Sequence, residues 1–328
     1  MVPGGRVWER SNVSNSLILD KECLEIARKQ FCLDVGLPWE EYCAKRERRV
    51  FICKNKPDMN AGDSDSKADK SKGEDMLRQS GARIYAGRSS FFWAIICLGQ
   101  LFICCDEKIY DWVVKQYAQY PPEWFCSFQN LRKLDEKLKE FGHEIQDTHV
   151  FFLPEDSTQR KNEPYVRADM QKTSATLVNG QGDDENVWKY VWFEQEEILQ
   201  FKENNRFTSA ICFWEGTPDV LAVAAMRESA EKCGDTKFFD QSQMAGMAGV
   251  SGDGKYLWQI GINVDKDHAG QGLGHKLVRT LKEEILCRGM VPFYGTSESH
   301  TVSQNVGLKA GFVPAWTEVW VREFEENS

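Results

Sequence analysis

The residues Gln259, Ile260, Gly261, Ile262, Asn263 and Val264 run through a short charged turn into His268-Ala269-Gly270-Gln271-Gly272-Leu273-Gly274-His275. An apolar strand feeding a glycine-rich loop, with an amphipathic helix behind it, is the arrangement that holds an anion. Glycines let the backbone approach a ligand closely, and the first N–H groups of a helix have no internal partners. With the positive end of the helix dipole behind them, those groups suit a pyrophosphate. Two phosphate motifs are excluded here. A Walker loop ends in Gly-Lys-Ser/Thr, which is missing. The dinucleotide pattern G-x-G-x-x-G, begun at Gly270 and Gly272, would need a glycine where His275 stands.

A second set of side chains can move protons. Glu298 and His300 follow a strand expected over 291–296, and an imidazole titrates near neutral pH. Ser303 has two readings, as the N-cap of a short helix and as a hydroxyl near a reacting group. Tyr294 reads as a strand residue for the core or as an acid. Glu228, at the end of another strand, is a further candidate base acting through water. His268 and His275 flank the loop as phosphate contacts or as solvated loop residues. No cysteine or histidine spacing of metal-site type occurs, so no metal is expected.

The elements that must position these groups are legible around them. Leu273, Leu277, Val278, Leu281, Ile285 and Leu286 make one stripe of a helix expected over 271–288, which Gly289 ends. A strand follows, then a short helix from Ser303 to Gly311, then a last strand from Phe312. Upstream, strands are expected over 187–193, 220–227, 243–250 and 256–264, with helices over 194–202 and 205–214.

The pattern x-x-x-Gly-x-Gly at 269–274, with the helix, the strand and the Gly311-Phe312 pair behind it, resembles motifs A and B of the GCN5-related N-acetyltransferases, the GNAT superfamily. The likeness covers residues 188–328, and the chain as a whole resembles bacterial members with an N-terminal extension. It implies an α/β fold of the acyl-CoA N-acyltransferase type: a mixed sheet whose strands 256–264 and 291–296 splay around a pantetheine arm. It implies acetyl-CoA as co-substrate, held by Ile262, Asn263 and Val264 along the strand. The loop residues Ala269, Gly270, Gln271, Gly272, Leu273 and Gly274 would take the pyrophosphate, with Ser303 near the thioester. A primary amine would then attack the acetyl carbonyl directly, with Glu298, His300 and Ser303 as the catalytic candidates. Three positions depart from the family pattern. Gly307 stands where many members have an acidic Tyr, Ala269 where Arg or Gln is usual, and His300 where Asn is common. These keep a second reading open, a catalytically silent module that binds CoA or acyl-CoA as a sensor or interaction domain.

Length and composition set the frame. At 328 residues the chain suits about two domains. The reading divides it into an accessory α/β domain over 1–154, a linker over 155–187 and the GNAT domain over 188–328. Residues 54–80, dense in Asp, Lys, Ser and Gly, read as a mobile insertion. In the accessory part, helices are expected over 17–33, 106–119 and 127–141, a hairpin over 91–97 and 101–105, and a strand over 148–153. Residues 1–150 carry 23 basic and 23 acidic side chains, whereas 151–328 carry 18 and 27, so the net charge of −9 lies in the second half. An acidic surface argues against nucleic acid and favours a cationic amine at long range. The apolar run 91–105 is broken by Gly99-Gln100 and is too short to cross a membrane. Eleven cysteines without a C-x-x-C pair fit reduced thiols in the cytoplasm, and exposed strand edges allow a homodimer.

Overall fold

Ten strands form one mixed sheet in the computed structural model, in the order β1-β3-β2-β10-β4-β9-β8-β7-β6-β5. The structure describes residues 19–55, 81–83, 91–156, 188–198, 207, 210, 219–227 and 244–324. The strands are β1 Val50–Lys54, β2 Phe92–Cys97, β3 Gln100–Cys105, β4 His143–Pro154, β5 Trp188–Glu194, β6 Asp219–Arg227, β7 Met244–Ser251, β8 Leu257–Val264, β9 Val291–Ser297 and β10 Phe312–Glu323. Only β1–β3 and β8–β9 pair in parallel among them. Seven helices accompany the sheet among the described residues: α1 Lys21–Val35, α2 Trp39–Ala44, α3 Glu107–Tyr117, α4 Phe128–Lys139, α5 Gln195–Ile198, α6 Leu273–Cys287 and α7 Thr301–Lys309.

The period-2 alternation of the strands decides which helix each face receives. Phe151 and Leu153 of β4, Val291 and Phe293 of β9, and Trp316 of β10 pack with Cys23, Ala27 and Phe31 of α1. Phe152, Tyr294 and Ile260 point the other way, onto Leu273, Leu277, Leu281 and Ile285 of α6. That second face continues under α3 and α4, where Ile109, Val113, Leu134 and Leu138 cover Phe92, Ala94, Leu101 and Val319. The helix ends follow their local chemistry. The Asp20 side chain accepts from the Cys23 N–H at 2.9 Å, and Gly36 closes α1 in the left-handed region at φ 71°.

The expected boundary at residue 155 divides the chain but not the sheet. Strand β4, from the first half, lies between β9 and β10 of the second, pairing antiparallel with both. It is also longer than the expected 148–153, because its polar start, His143 to Asp147, pairs with β10 up to Glu323. A second tie crosses the same boundary. Arg83, fully buried, donates from Nε to Asp34 Oδ2 at 2.6 Å, and its Nη2 lies 2.8 Å from Glu318 Oε1. Asp34 belongs to α1 and Glu318 to β10. The insertion expected over 54–80 lies outside the described residues beyond Asn55, and so do the linker from 157 to 187, Glu228, and most of the helices expected over 194–202 and 205–214.

One buried carboxylate gives the fold a pH dependence. Asp253, in the β7–β8 turn, accepts from Ser251 Oγ at 3.0 Å and from the Gln259 N–H at 3.1 Å. Burial nonetheless pushes it up to about 7. Between about pH 4, where an unfolded aspartate has released its proton, and pH 7, the folded chain keeps that proton. Stability therefore falls as pH rises through this window and is level above it. Asp253→Asn keeps an acceptor for both donors without the charge. Urea unfolding at pH 5 and pH 8 should show the wild type losing on the order of 2 kcal/mol more than the variant. Equal losses would refute this account.

Candidate active site

Strands β8 and β9 run side by side only from Leu257↔Val291 to Ile260↔Tyr294. Beyond that point they part. The outer edge of β8, Gly261 to Val264, keeps its β7 partners while its other edge faces no strand, and these central residues are half-buried. β9 instead turns its end to β4, where Ser297 sits opposite His149. A wedge open at the C-terminal ends of two parallel strands is thus built into the middle of the sheet. Ile262, Asn263 and Val264 line one side of it.

The glycine loop closes the wide end. Asp265 starts a single 3-10 turn, Lys266–His268, its side chain accepting from the Asp267 N–H at 3.1 Å. Gly270 and Gly272 follow in the left-handed region at φ 81° and 77°, and Gly272 is the N-cap of α6. These two positions need glycine for their backbone; Gly274 does not, since a Cβ there would make ordinary contact with Val306 of α7 at 3.4 Å and Val264 of β8 at 3.6 Å. The helix start thus sits beside both neighbours, with its leading N–H groups without partners inside the helix. A Cβ on Gly270 would meet nothing within 4 Å, so the loop is open on that side. An elongated ligand with a pyrophosphate and a hydrogen-bonding arm fits this combination of cradle and unpaired strand edge.

On the α6 side of the wedge, Tyr294 and Ser303 meet at 2.6 Å between hydroxyls. Ser303 is not the expected N-cap: α7 begins at Thr301, His300 holds the cap position, and no side chain caps it. The serine lies inside the first turn and faces the sheet. The Tyr294 ring packs on Gly307, where a Cβ would be 3.1 Å from Cδ1. The strand thus fills the room that the helix leaves vacant at 307. Burial raises the Tyr294 phenol above its ordinary value near 10. The phenol and the serine hydroxyl thus form one hydrogen-bonded pair at the α6 side of the wedge.

Glu298 and His300 sit in the turn between β9 and α7 and are both exposed. Gln304 of α7 holds that turn by donating to the carbonyls of Ser297 and Glu298 at 3.3 and 2.7 Å. Periodicity gave no sign of the residues on the opposite face. There the Phe151 ring of β4 covers Gly295, whose Cβ would come within 2.5 Å of it, and Gln259 Nε2 lies 3.4 Å away. His149 stands next along the same face. Among the described residues no group of side chains is arranged to hold a metal ion, and no helix is long and apolar enough to cross a membrane.

Residues 181–312 match the family model for the GNAT acetyltransferases. That segment is similar to the GNAT family. The GNAT match includes β5 to β9, the loop, α6 and α7, and stops where β10 begins. Solved structures with GNAT descriptions are similar at low identity. A GNAT-family protein from Novosphingobium aromaticivorans is 13% identical over 56% of this chain and 68% of its own, with a TM-score of 0.31. An N-acetyltransferase-like protein from Streptococcus suis is 12% identical over 58% and 68%, at 0.32. A GCN5-related N-acetyltransferase from Sphaerobacter thermophilus is 9% identical over 77% and 85%, at 0.35. At these scores the three add nothing to the family match. No protein of curated function matches the chain.

Proposed function

We propose that this protein transfers an acetyl group from acetyl-CoA to a primary amine by direct attack. The observation that carries this reading is the wedge: β8–β9 pairing ends at Ile260↔Tyr294 just where the strand leads to the Gly270–Gly274 loop. Bound there, acetyl-CoA supplies an activated thioester. The loop amides and the α6 dipole would hold its pyrophosphate, and the unpaired edge of Ile262, Asn263 and Val264 would bond its arm. A backbone N–H on that edge is suited to stabilise the developing oxyanion, an effect strongest where water is excluded. Ser303, hydrogen-bonded to Tyr294 at 2.6 Å, is suited to pass a proton between that phenol and the departing thiolate. Glu298 and His300 are exposed in their turn, so their role is confined to the rim. The acceptor is a small-molecule or peptide amine, favoured at long range by the acidic second half, in a cytoplasmic setting.

Gly307 and Ala269 favour the second reading, a silent module that binds CoA without transfer. One experiment separates the two. Calorimetric titration with acetyl-CoA, followed by thiol release across a panel of amines, gives binding and turnover for an enzyme. Binding without release with any amine identifies the silent module. No binding by the folded protein refutes both.

A further inference from the structure

The inserted strand β4 brings to the wedge a histidine that the family match does not include, since residue 149 precedes the matched segment. His149 lies directly opposite Ser297, the last residue of β9. Its ring stacks on Trp320 at 4.4 Å and 23°, and stands 6.2 Å from Phe151. Both contacts put it on the α1 face, away from α6, α7 and the glycine loop. Helix α1 covers that face over Phe151, Leu153 and Phe293, whereas His149, beside the last residue of β9, is only half-buried and leaves an amine a way in there. Across β9 at this level stands Ser297, a small side chain, while the space over Gly295 is filled by the Phe151 ring.

The ring is also held in place with a nitrogen to spare. Its Nδ1 is buried with no hydrogen-bond partner among the described residues, and its Nε2 lies 3.7 Å from Asp147 Oδ2. Stacking on Trp320 fixes the ring plane. Adjacent strands lie about 4.8 Å apart, so a nitrogen held beside β9 is within reach of a side chain on β4, directly or through one water.

We infer that His149 is the general base of this site, taking a proton from the attacking ammonium. One N–H bond of the ammonium breaks and one forms on the imidazole. The freed lone pair then attacks the acetyl carbonyl, the C–S bond breaks, and a second N–H proton leaves the adduct for the departing thiolate, passed through Ser303 or water. This rests on the acetyl-transfer reading above.

The test compares wild type with His149→Gln at pH 8, using saturating acetyl-CoA and two classes of acceptor. Alkyl amines arrive protonated, whereas hydroxylamine arrives neutral and needs no base. With alkyl amines kcat should fall about 100-fold or more, the usual size of a general-base contribution. With hydroxylamine the loss should stay below about 5-fold, and the Kd for acetyl-CoA by calorimetry should change less than about 2-fold. An equal loss with both classes would mark His149 as structural and overturn the inference, as would undiminished turnover with both. If the wild type binds acetyl-CoA yet releases thiol with neither class, the transfer reading itself fails, and the base role with it.

Discussion

Arg83→Met should cost this protein about 3–5 kcal/mol of stability, a large share of the roughly 5–15 kcal/mol that holds a typical domain together. The reason is what the substitution leaves behind. Asp34 receives the Arg83 backbone N–H at 2.7 Å and its Nε at 2.6 Å. Glu318 lies 2.8 Å from Nη2. Both carboxylates are completely buried, and without the guanidinium each is a charge with no counter-ion among the described residues. Glu318 would keep three indole donors, from Trp93, Trp316 and Trp320 at 3.1, 2.7 and 2.9 Å, which lessens its penalty. Asp34 would keep only the Gln30 amide at 3.0 Å and the residue-83 N–H. The surrounding rings of Phe31, Trp93, Phe293 and Trp316, 5.2–5.8 Å from the guanidinium carbon, also lose a cation between their faces. Arg83→Lys keeps the charge but not the fork that reaches both acids, and should fall between the two. The readout is the urea midpoint of the three proteins. A loss below about 1 kcal/mol in the methionine variant, the range of an exposed ion pair, would show that the cluster is not a buried one in solution.

The second large effect concerns the cofactor. Gly272→Glu should weaken acetyl-CoA binding by about 100-fold or more, near 2.7 kcal/mol, while the protein stays folded. Gly272 holds φ 77°, where a side chain costs roughly 1–2 kcal/mol, and its Cβ would meet His275 Cε1 at 3.1 Å. Most of the loss comes from charge: a carboxylate would occupy the helix N-terminus in place of the pyrophosphate. Gly272→Ala carries the backbone strain without the charge and separates the two contributions. Calorimetric titration of all three proteins checks the ranking. An affinity for the glutamate variant equal to wild type would mean that the loop holds no phosphate.

Much of the second half was legible in the sequence, because its signals are local. The stripe from Leu273 to Ile285 gave α6, the alternation in 256–264 gave β8, and Gly311-Phe312 gave the end of α7 and the start of β10. The hairpin at Gly99 and the helix capped by Asp106 were legible for the same reason. Periodicity reports which face of an element is apolar, but not which strand lies beside it. Nothing in residues 143–154 says that they pair with β9 and β10, so the wall formed by His149 and Phe151 was invisible. Arg83 was missed differently: it follows a long polar stretch and reads as solvated until the carboxylates around it are known. Ser303 matched the composition of a cap, and only the position of Tyr294 reveals its other partner.

The place of β4 has a consequence for the order in which the chain acquires its shape. Its two neighbours are β9 and β10, whose register partners lie between about 140 and 180 residues further along. On the ribosome the first half must wait, its strand unpaired on both edges, until β9 and β10 emerge. Contacts of such long sequence separation make folding slow, and unpaired edges expose the waiting chain to aggregation. A truncated second half meets the mirror problem, a sheet with a gap at its centre. The two halves therefore share one sheet.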